Sequence, residues 1–263
     1  MKIGFLDSGF GGITVLYEAL KLLPGEEYIY YADTINAPYG VKPKDVVRKY
    51  ILEAVEFIIK QEVDAIVIAC NTATSIAIEE LRNKYDIPII GMEPAVKPAT
   101  EISFMKNKRV LVTATALTIK EEKLKNLIDK LDNEARVELL ALPKLVEFAE
   151  ALEFDENVVM PYLKEELSPY NMEQYGTIVL GCTHFPYYRD TFKKLAPENV
   201  DIIDGNQGTI NNLKRIMNKK RKKDDSSLRP GEIIYYNSGE RIIDPNKLKV
   251  FTELLKRMDD TNK

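Results

Sequence analysis

The sequence predicts a doubly wound α/β fold that occurs twice, as two similar domains with the active site in the cleft between them. Strand and helix patterns alternate along the 263 residues, which is typical of parallel sheets covered by helices on both faces. Two apolar, β-branched runs, at residues 64–69 and 176–181, each stop at a cysteine followed by polar side chains. Such runs indicate strands buried on both faces. Because ligands of open α/β sheets bind at the carboxyl ends of strands, we expect Cys70 and Cys182 to face one shared cleft.

The first half of the chain predicts four strands, at residues 3–6, 28–32, 64–69 and 87–90. Its helices are expected at residues 15–23, 43–61 and 74–82. A glycine-rich turn at residues 7–12 precedes the first helix. Such a turn suits an anion, because it exposes backbone N–H groups at a helix N-terminus. Residues 33–40 are expected to form a loop, with Pro38 and Gly40 as turn residues.

The second half repeats this alternation from about residue 108. Its strands are expected at residues 108–115, 137–140, 176–181, 200–203 and 233–236. Its helices are expected at residues 119–131, 143–150, 156–167, 209–217 and 247–258. The charged run at residues 219–226 is interpreted as a solvated helix end and loop, not as a binding patch.

Composition excludes several classes of function. The net charge of −4 and the pI near 5.4 argue against a nucleic-acid-binding face. No apolar run reaches the length of a membrane span. The N-terminus has a strand pattern and lacks the apolar region of a signal peptide. We therefore expect a cytoplasmic protein, in which Cys70 and Cys182 stay reduced.

The two cysteines allow more than one interpretation. A single buried cysteine is usually a small hydrophobic residue, but two cysteines in matched settings favour a shared chemical role. A metal site with Cys70, Cys182 and His184 as ligands is conceivable, yet structural zinc sites usually use close Cys-x-x-Cys pairs, which are absent here. A dinucleotide site is disfavoured because the glycines of the 7–12 turn do not keep the G-x-G-x-x-G spacing, and Asp7 would repel a pyrophosphate.

Five motifs together resemble the cofactor-independent aspartate/glutamate racemase family, and within it the glutamate racemases. They are Asp7-Ser8-Gly9-x-Gly11-Gly12, Pro38-Tyr39-Gly40, Ala69-Cys70-Asn71-Thr72-Ala73, Glu93-Pro94 and Gly181-Cys182-Thr183-His184. The resemblance covers essentially the whole chain. It implies a first domain of residues 1–95 plus 208–263, a second domain of residues 96–207, and catalysis with no cofactor and no metal.

The resemblance also implies the catalytic roles. Cys70 and Cys182 lie on opposite faces of the substrate and exchange the roles of base and acid. Asp7 assists Cys70, although its carboxylate could instead hold the substrate ammonium group. His184, the only histidine of the chain, and Glu150 are the expected partners of Cys182. Independently of the resemblance, a helix N-terminus beside Cys70 is expected to lower the pKa of its thiol.

The expected substrate is glutamate, and D-glutamate would supply peptidoglycan synthesis. Small donors and acceptors suited to two carboxylates and an ammonium group are implied as substrate contacts: Asp7, Ser8, Tyr39, Gly40, Asn71, Thr72, Thr183 and His184. A homodimer is possible, and neither nucleic acid nor membrane is expected as a partner.

Two positions depart from the family pattern. Leu142-Pro143 stands where a Cys-Pro pair is common, and Glu121 and Leu124 stand near positions where Ser and Tyr are common. These departures concern substrate contacts from the second domain. Three alternatives stay open: a racemase of another acidic amino acid such as aspartate, a non-catalytic binding protein of the same fold, and a zinc-dependent hydrolase.

Overall fold

Ten strands form two sheets in the computed structural model, which describes residues 1–220 and 232–261. The strands are β1 Lys2–Asp7, β2 Glu27–Ala32, β3 Ala65–Ile68, β4 Ile89–Gly91, β5 Arg109–Ala114, β6 Val137–Ala141, β7 Tyr175–Leu180, β8 Asp201–Asp204, β9 Ile233–Asn237 and β10 Glu240–Arg241.

Eleven α-helices lie among the described residues. They are α1 Ile13–Leu22, α2 Lys44–Ile59, α3 Asn71–Lys84, α4 Val96–Met105, α5 Ala116–Lys120, α6 Glu122–Leu131, α7 Pro143–Glu150, α8 Glu156–Leu167, α9 Arg189–Leu195, α10 Asn206–Lys220 and α11 Pro245–Thr261. Short 3-10 segments occur at Thr34–Asn36, Tyr39–Val41, Met172–Gln174 and Phe185–Tyr188. No helix in the described part of the chain is both long and apolar enough to cross a bilayer.

The four strands of the second sheet repeat the order of four strands of the first, with β6-β5-β7-β8 corresponding to β2-β1-β3-β4. The first runs β10-β9-β2-β1-β3-β4, and the second runs β6-β5-β7-β8. All pairings are parallel except that of β9 with β10. In each sheet the first strand lies between the second and the third, and a cysteine follows the third. The predicted fold, a doubly wound α/β unit that occurs twice, is therefore confirmed. We call the elements around the two sheets the first and second halves.

Burial explains why the cysteine-bearing strands form where they do. Every residue of β3 and β7 is buried, as expected for strands covered on both faces. Helix α2 buries one stripe at helical spacing, made of Val47, Ile51, Ala54, Val55 and Ile58. The principal hydrophobic cluster contains buried residues of both halves, Tyr30 and Phe251 on one side and Leu145 and Phe185 on the other. The two halves are therefore packed against each other through one continuous hydrophobic core.

The structure corrects several predicted elements. The single helix expected at 119–131 is two helices, α5 and α6, because the backbone at Glu121 is extended. Helices α4 and α9 had no predicted counterpart. Strands β9 and β10 join the first sheet, and α10 and α11 pack against α1, while the domain boundaries at residues 95 and 208 stay predictions. Of the charged run, residues 221–226 lie outside the described residues.

Candidate active site

The carboxyl ends of β1, β3 and β7 meet around a small cavity between the two halves. The cavity has a volume of about 60 Å³. The first half contributes Ser8, Pro38, Tyr39, Gly40, Val41, Cys70, Asn71 and Thr72 to its lining. The second half contributes Thr115, Ala116, Pro143, Val146, Glu147, Cys182, Thr183 and His184. Both cysteines of the chain therefore face one cavity from opposite halves.

Cys70 caps the N-terminus of α3. Its sulfur accepts a hydrogen bond from the Ala73 N–H at 3.4 Å, and its thiol donates to Ser8 Oγ at 3.9 Å. Burial, with the charge of Asp7 added to it, raises the pKa of Cys70 to about 12, although the Ala73 N–H acts in the opposite direction. The expected lowering of this pKa is therefore wrong: the helix N-terminus favours the thiolate, but desolvation outweighs it. Cys70 is a neutral thiol at neutral pH.

Asp7 lies at the end of β1 and is completely buried. Its carboxylate accepts hydrogen bonds from the Gly9 N–H at 3.0 Å and from Thr183 Oγ1 of the opposite half at 3.2 Å. Burial raises the pKa of Asp7 to about 6, while the nearby His184 acts to lower it. Asp7 therefore titrates close to neutral pH. It is not part of the cavity lining, and its charge acts on the Cys70 thiol.

Cys182 has a different set of partners. Its sulfur lies 3.5 Å from Nδ1 of His184, whose Nε2 lies 2.5 Å from Oε1 of Glu150. Glu150 Oε1 also accepts a hydrogen bond from the Phe10 N–H at 2.8 Å. Burial acts to lower the pKa of His184, but its hydrogen bonds with Cys182 and Glu150 outweigh burial and hold this pKa well above its ordinary value. An imidazolium ring has two donors, so one faces the sulfur and the other faces the carboxylate.

Local structure explains the different surroundings of the two thiols. Helix α3 begins directly after Cys70, whereas a 3-10 segment, Phe185–Tyr188, follows the turn that carries Cys182 and His184. Helix α7 ends at Glu150, which places the carboxylate beside the histidine. The repeated cysteine setting thus produces one thiol at a helix N-terminus and one thiol beside a histidine.

The glycines of the 7–12 turn allow the two halves to approach closely. A Cβ atom on Gly9 would lie 2.1 Å from Glu150 Oε1, and one on Gly11 would lie 2.4 Å from Thr183 Oγ1. A side chain at either position would force Glu150, or Thr183 and His184, out of the places they hold in the site. The side chains of Glu150 and Thr183 from the second half therefore pack directly against the turn. They occupy the space where an anion was expected.

All predicted substrate residues except Asp7 line the cavity. The hydroxyl of Tyr39 donates to Asp33 at 2.6 Å, and Asp33 is not part of the lining. Sequence reasoning missed two threonines of the second half: Thr72 Oγ1 lies 3.0 Å from Thr115 Oγ1 and 3.1 Å from Thr118 Oγ1. The sequence did contain an indication of these threonines, because the strand predicted at 108–115 leads into a polar turn, as the strands before both cysteines do. Among the described residues, no group of three or more His, Cys, Asp and Glu side chains is placed to hold a metal ion.

Comparisons with known proteins identify the family. The family model for Asp/Glu/Hydantoin racemase matches residues 19–213. Glutamate racemase of Halothermothrix orenii is 57% identical over 98% of this chain and 100% of that protein. Glutamate racemase 2 of Bacillus subtilis is 52% identical over 100% of this chain and 98% of that protein.

Solved structures give the same result. The Escherichia coli glutamate racemase in complex with L-glutamate and the activator UDP-MurNAc-ala superposes with a TM-score of 0.81 at 28% identity, covering 97% of this chain and 94% of that chain. The resemblance carried by the five motifs is therefore confirmed. From its sequence, its fold and its relatives, the chain belongs to the Asp/Glu/Hydantoin racemase family.

Proposed function

We propose that this enzyme interconverts L- and D-glutamate by a two-base mechanism, with Cys182 and Cys70 acting on opposite faces of the substrate. The observation that carries the proposal is that thiols from the two halves line one small cavity. Close relatives that share nearly the whole chain are glutamate racemases, and a more distant one has been solved with L-glutamate. Glutamate is therefore the substrate to test first.

In the direction from L- to D-glutamate, Cys182 as thiolate removes the α-proton. The His184 imidazolium beside the sulfur and the Glu150 carboxylate behind it provide a charge arrangement in which the thiolate is stabilised. Cys70, a neutral thiol, then donates its proton to the other face of the carbanion. Cys182 ends as thiol and Cys70 as thiolate, so one proton has been removed and one supplied.

In the opposite direction Cys70 must first lose its proton. Asp7 is the buried carboxylate whose charge acts on this thiol, and its pKa of about 6 lets it change protonation state near neutral pH. The positive charge of the substrate ammonium group favours the Cys70 thiolate once substrate is bound. Asp7 and His184–Glu150 are thus proposed as unlike helpers of the two thiols.

The remaining polar groups suit the two carboxylates of glutamate. The hydroxyls of Ser8, Thr72 and Thr183, together with the amide of Asn71, line the cavity. Asn71 and Thr72 are also the first residues of α3, where backbone N–H groups and the helix dipole favour an anion. We propose these groups as the substrate contacts.

Circular dichroism of the purified enzyme with L-glutamate, D-glutamate and L-aspartate tests the proposal. We expect the signal of both glutamate enantiomers to decay to zero, to do so after exhaustive dialysis against a chelator, and to stay constant when Cys70→Ala or Cys182→Ala replaces the wild type. Decay with aspartate alone would make the enzyme an aspartate racemase. Activity lost on chelation and restored by zinc would contradict the two-thiol mechanism, and no decay with any substrate would favour a binding protein.

Isotope incorporation separates a two-base from a one-base mechanism. When the reaction starts from L-glutamate in D₂O, Cys70 carries solvent deuterium and Cys182 receives the substrate proton. We therefore expect deuterium at Cα of the D-product well before it appears in recovered L-substrate, with the mirror result from D-glutamate. Mass spectrometry at roughly a tenth of conversion or less measures this before product recycles. Protium retained in the product would contradict the two-base assignment.

Three further expectations accompany this function. We propose that the enzyme works in the cytoplasm and supplies D-glutamate for peptidoglycan, so that a strain lacking it and any second racemase requires D-glutamate for growth. Growth of such a strain without D-glutamate would contradict the proposed supply role.

A homodimer stays a prediction, which light scattering of the purified protein decides.

A further inference from the structure

A loop between β2 and α2 forms one wall of the cavity. It runs over residues 33–43 and contributes Tyr39 and Gly40 to the lining. A Cβ atom on Gly40 would lie 2.8 Å from Cβ of Thr115, so the loop contacts the second half directly. Only two short 3-10 segments stabilise it through its own backbone. Its position must therefore depend on side-chain contacts.

Asp33, at the base of this loop, makes most of those contacts. Asp33 lies outside the cavity lining and is 2% exposed. Its carboxylate accepts hydrogen bonds from Tyr39 Oη at 2.6 Å, from Asn36 Nδ2 at 3.0 and 3.1 Å, and from Ser238 Oγ at 3.2 Å. A buried carboxylate with three donors is held firmly, and it holds the donors in return.

The bond to Tyr39 is the one that reaches the cavity wall. Burial and the charge of Asp33 raise the pKa of Tyr39 well above its ordinary value, so its hydroxyl remains a donor at every physiological pH. The ring is 1% exposed and stacks on Tyr50 of α2, with 6.4 Å between ring centroids. Asp33 and Tyr50 together fix both ends of this side chain.

The bond to Ser238 connects the loop to a part of the chain that is distant in sequence. Ser238 and Gly239 have positive φ angles and form the tight turn between β9 and β10. Besides its bond to Asp33, Ser238 Oγ accepts a hydrogen bond from the Ile35 N–H at 3.1 Å, and Thr34 Oγ1 bonds to Asn237. The C-terminal hairpin thus supports the base of the loop.

We propose that Asp33 is a positioning residue that fixes the 37–41 segment through Tyr39 and is itself held by Ser238 of the C-terminal hairpin. Its kinetic consequences rest on the proposed racemase function. The segment lines the cavity, whereas the hydrogen bonds of the two thiols go to Ser8, Ala73 and His184. Loosening the segment should therefore affect substrate binding more than proton transfer. Asp33 would therefore act on KM.

Hydrogen exchange tests the positioning without reference to activity. We expect the backbone amides of residues 34–42 to exchange at least tenfold faster in Asp33→Asn, Tyr39→Phe and Ser238→Ala, because hydrogen bonds to a charged group hold the segment. Glu26→Gln is the matched control. Glu26 is 1% exposed and pairs with the N-terminal ammonium at 2.7 Å. It directly precedes β2, whereas the loop follows the other end of that strand. The control should leave exchange at 34–42 unchanged.

Steady-state kinetics provides the second measurement. For Asp33→Asn we expect KM for D-glutamate to rise about tenfold with kcat changed less than threefold. Asp33→Ala should be worse, so that the isosteric Asn variant partly rescues it, and Tyr39→Phe should have little further effect in the Asp33→Ala background. Glu26→Gln should change neither constant.

The outcomes separate this inference from the function on which it rests. If the wild type does not racemise glutamate, the proposed function is wrong while the exchange measurement still tests the positioning role. If the wild type is active and both Asp33 variants show normal exchange and normal KM, the positioning role is wrong. Additive effects of the Tyr39 and Asp33 substitutions would also overturn it, because they would show that the two residues act separately.

Discussion

At the scale of single residues, the two thiols differ more than their matched sequence settings indicate. Cys70 is held neutral by burial beside the buried Asp7, while Cys182 faces an imidazolium backed by Glu150. In the proposed mechanism, a carboxylate helps as base on one side and a cation stabilises a thiolate on the other. The pH dependence and the response to substitution should show this difference.

The titration of Asp7 should limit the enzyme at acid pH. Burial raises the pKa of Asp7 to about 6, and the assisting form is the carboxylate, so activity is retained above this pH and lost as the pH falls through it. We expect kcat/KM, measured with either enantiomer, to fall roughly tenfold for each pH unit well below 6. In Asp7→Asn the remaining activity should lack this acid limb, and its persistence would assign the limb to another group.

Removing the His184 imidazolium should lower turnover without unfolding the protein. We expect His184→Asn to lower kcat by ~10²–10⁴-fold, the usual effect of losing acid–base assistance. The direction that begins with proton removal by Cys182, from L-glutamate, should lose most. Thermal unfolding monitored by circular dichroism confirms that the variant is folded. Full activity in both directions would contradict the role assigned to this side chain.

At the scale of elements, the glycine-rich turn before α1 should not accommodate a side chain at Gly11. We expect Gly11→Ala to destabilise the protein by about 1–3 kcal/mol and to lower activity roughly 10²-fold, because its Cβ would lie 2.4 Å from Thr183 and 2.6 Å from Nδ1 of His184.

Gly208→Ala, in the first turns of α10, is the matched control. A Cβ there meets nothing within 4 Å, so alanine should stabilise the helix by about 0.5–1 kcal/mol and leave activity unchanged. Thermal unfolding and initial rates measure both variants. Equal behaviour of the two would show that the turn does not seat the second half.

Features that depend on a local sequence pattern were predicted correctly, whereas features that depend on residues distant in sequence were not. The strands before Cys70 and Cys182 were predicted correctly, because burial on both faces is written into a short local pattern. The break at Glu121 could not be predicted, because the apolar pattern continues across it and its carboxylate pairs with Lys44, 77 positions away. The predicted lowering of the Cys70 pKa was also wrong, because the neighbouring residues in sequence indicate the helix N-terminus but not the burial of the thiol.

At the scale of the whole molecule, the two halves close around a small cavity. It has a volume of about 60 Å³ and room for a few water molecules, so we expect the cleft to widen when glutamate enters. Lys44 and Glu121 span the cleft with an ion pair of 2.6 Å, in which the Glu121 side chain is 9% exposed and the Lys44 side chain 53%.

Breaking this ion pair should make the closed form less populated. We expect Glu121→Gln to raise KM roughly two- to fivefold with little change in kcat, because ion pairs with a solvated partner contribute at most about 1 kcal/mol. Raising the ionic strength should raise KM less in this variant than in the wild type. Glu79→Gln, which removes a pairing with Arg82 within α3, is the control. A wild-type KM in Glu121→Gln would show that the pair has no part in closure.

The two halves repeat one strand order but carry unlike thiols, and thermodynamics limits what that difference can change. Enantiomers have equal free energies in water, so their equilibrium mixture contains equal amounts of both. The Haldane relationship then requires kcat/KM to be the same for L- and D-glutamate at every pH and in every variant. The different partners of Cys70 and Cys182 can therefore shift only how each direction divides its barrier between kcat and KM. In the proposed mechanism, a fold built twice places two acid–base groups around one carbon atom, and the symmetry of the reaction removes any net advantage of one over the other.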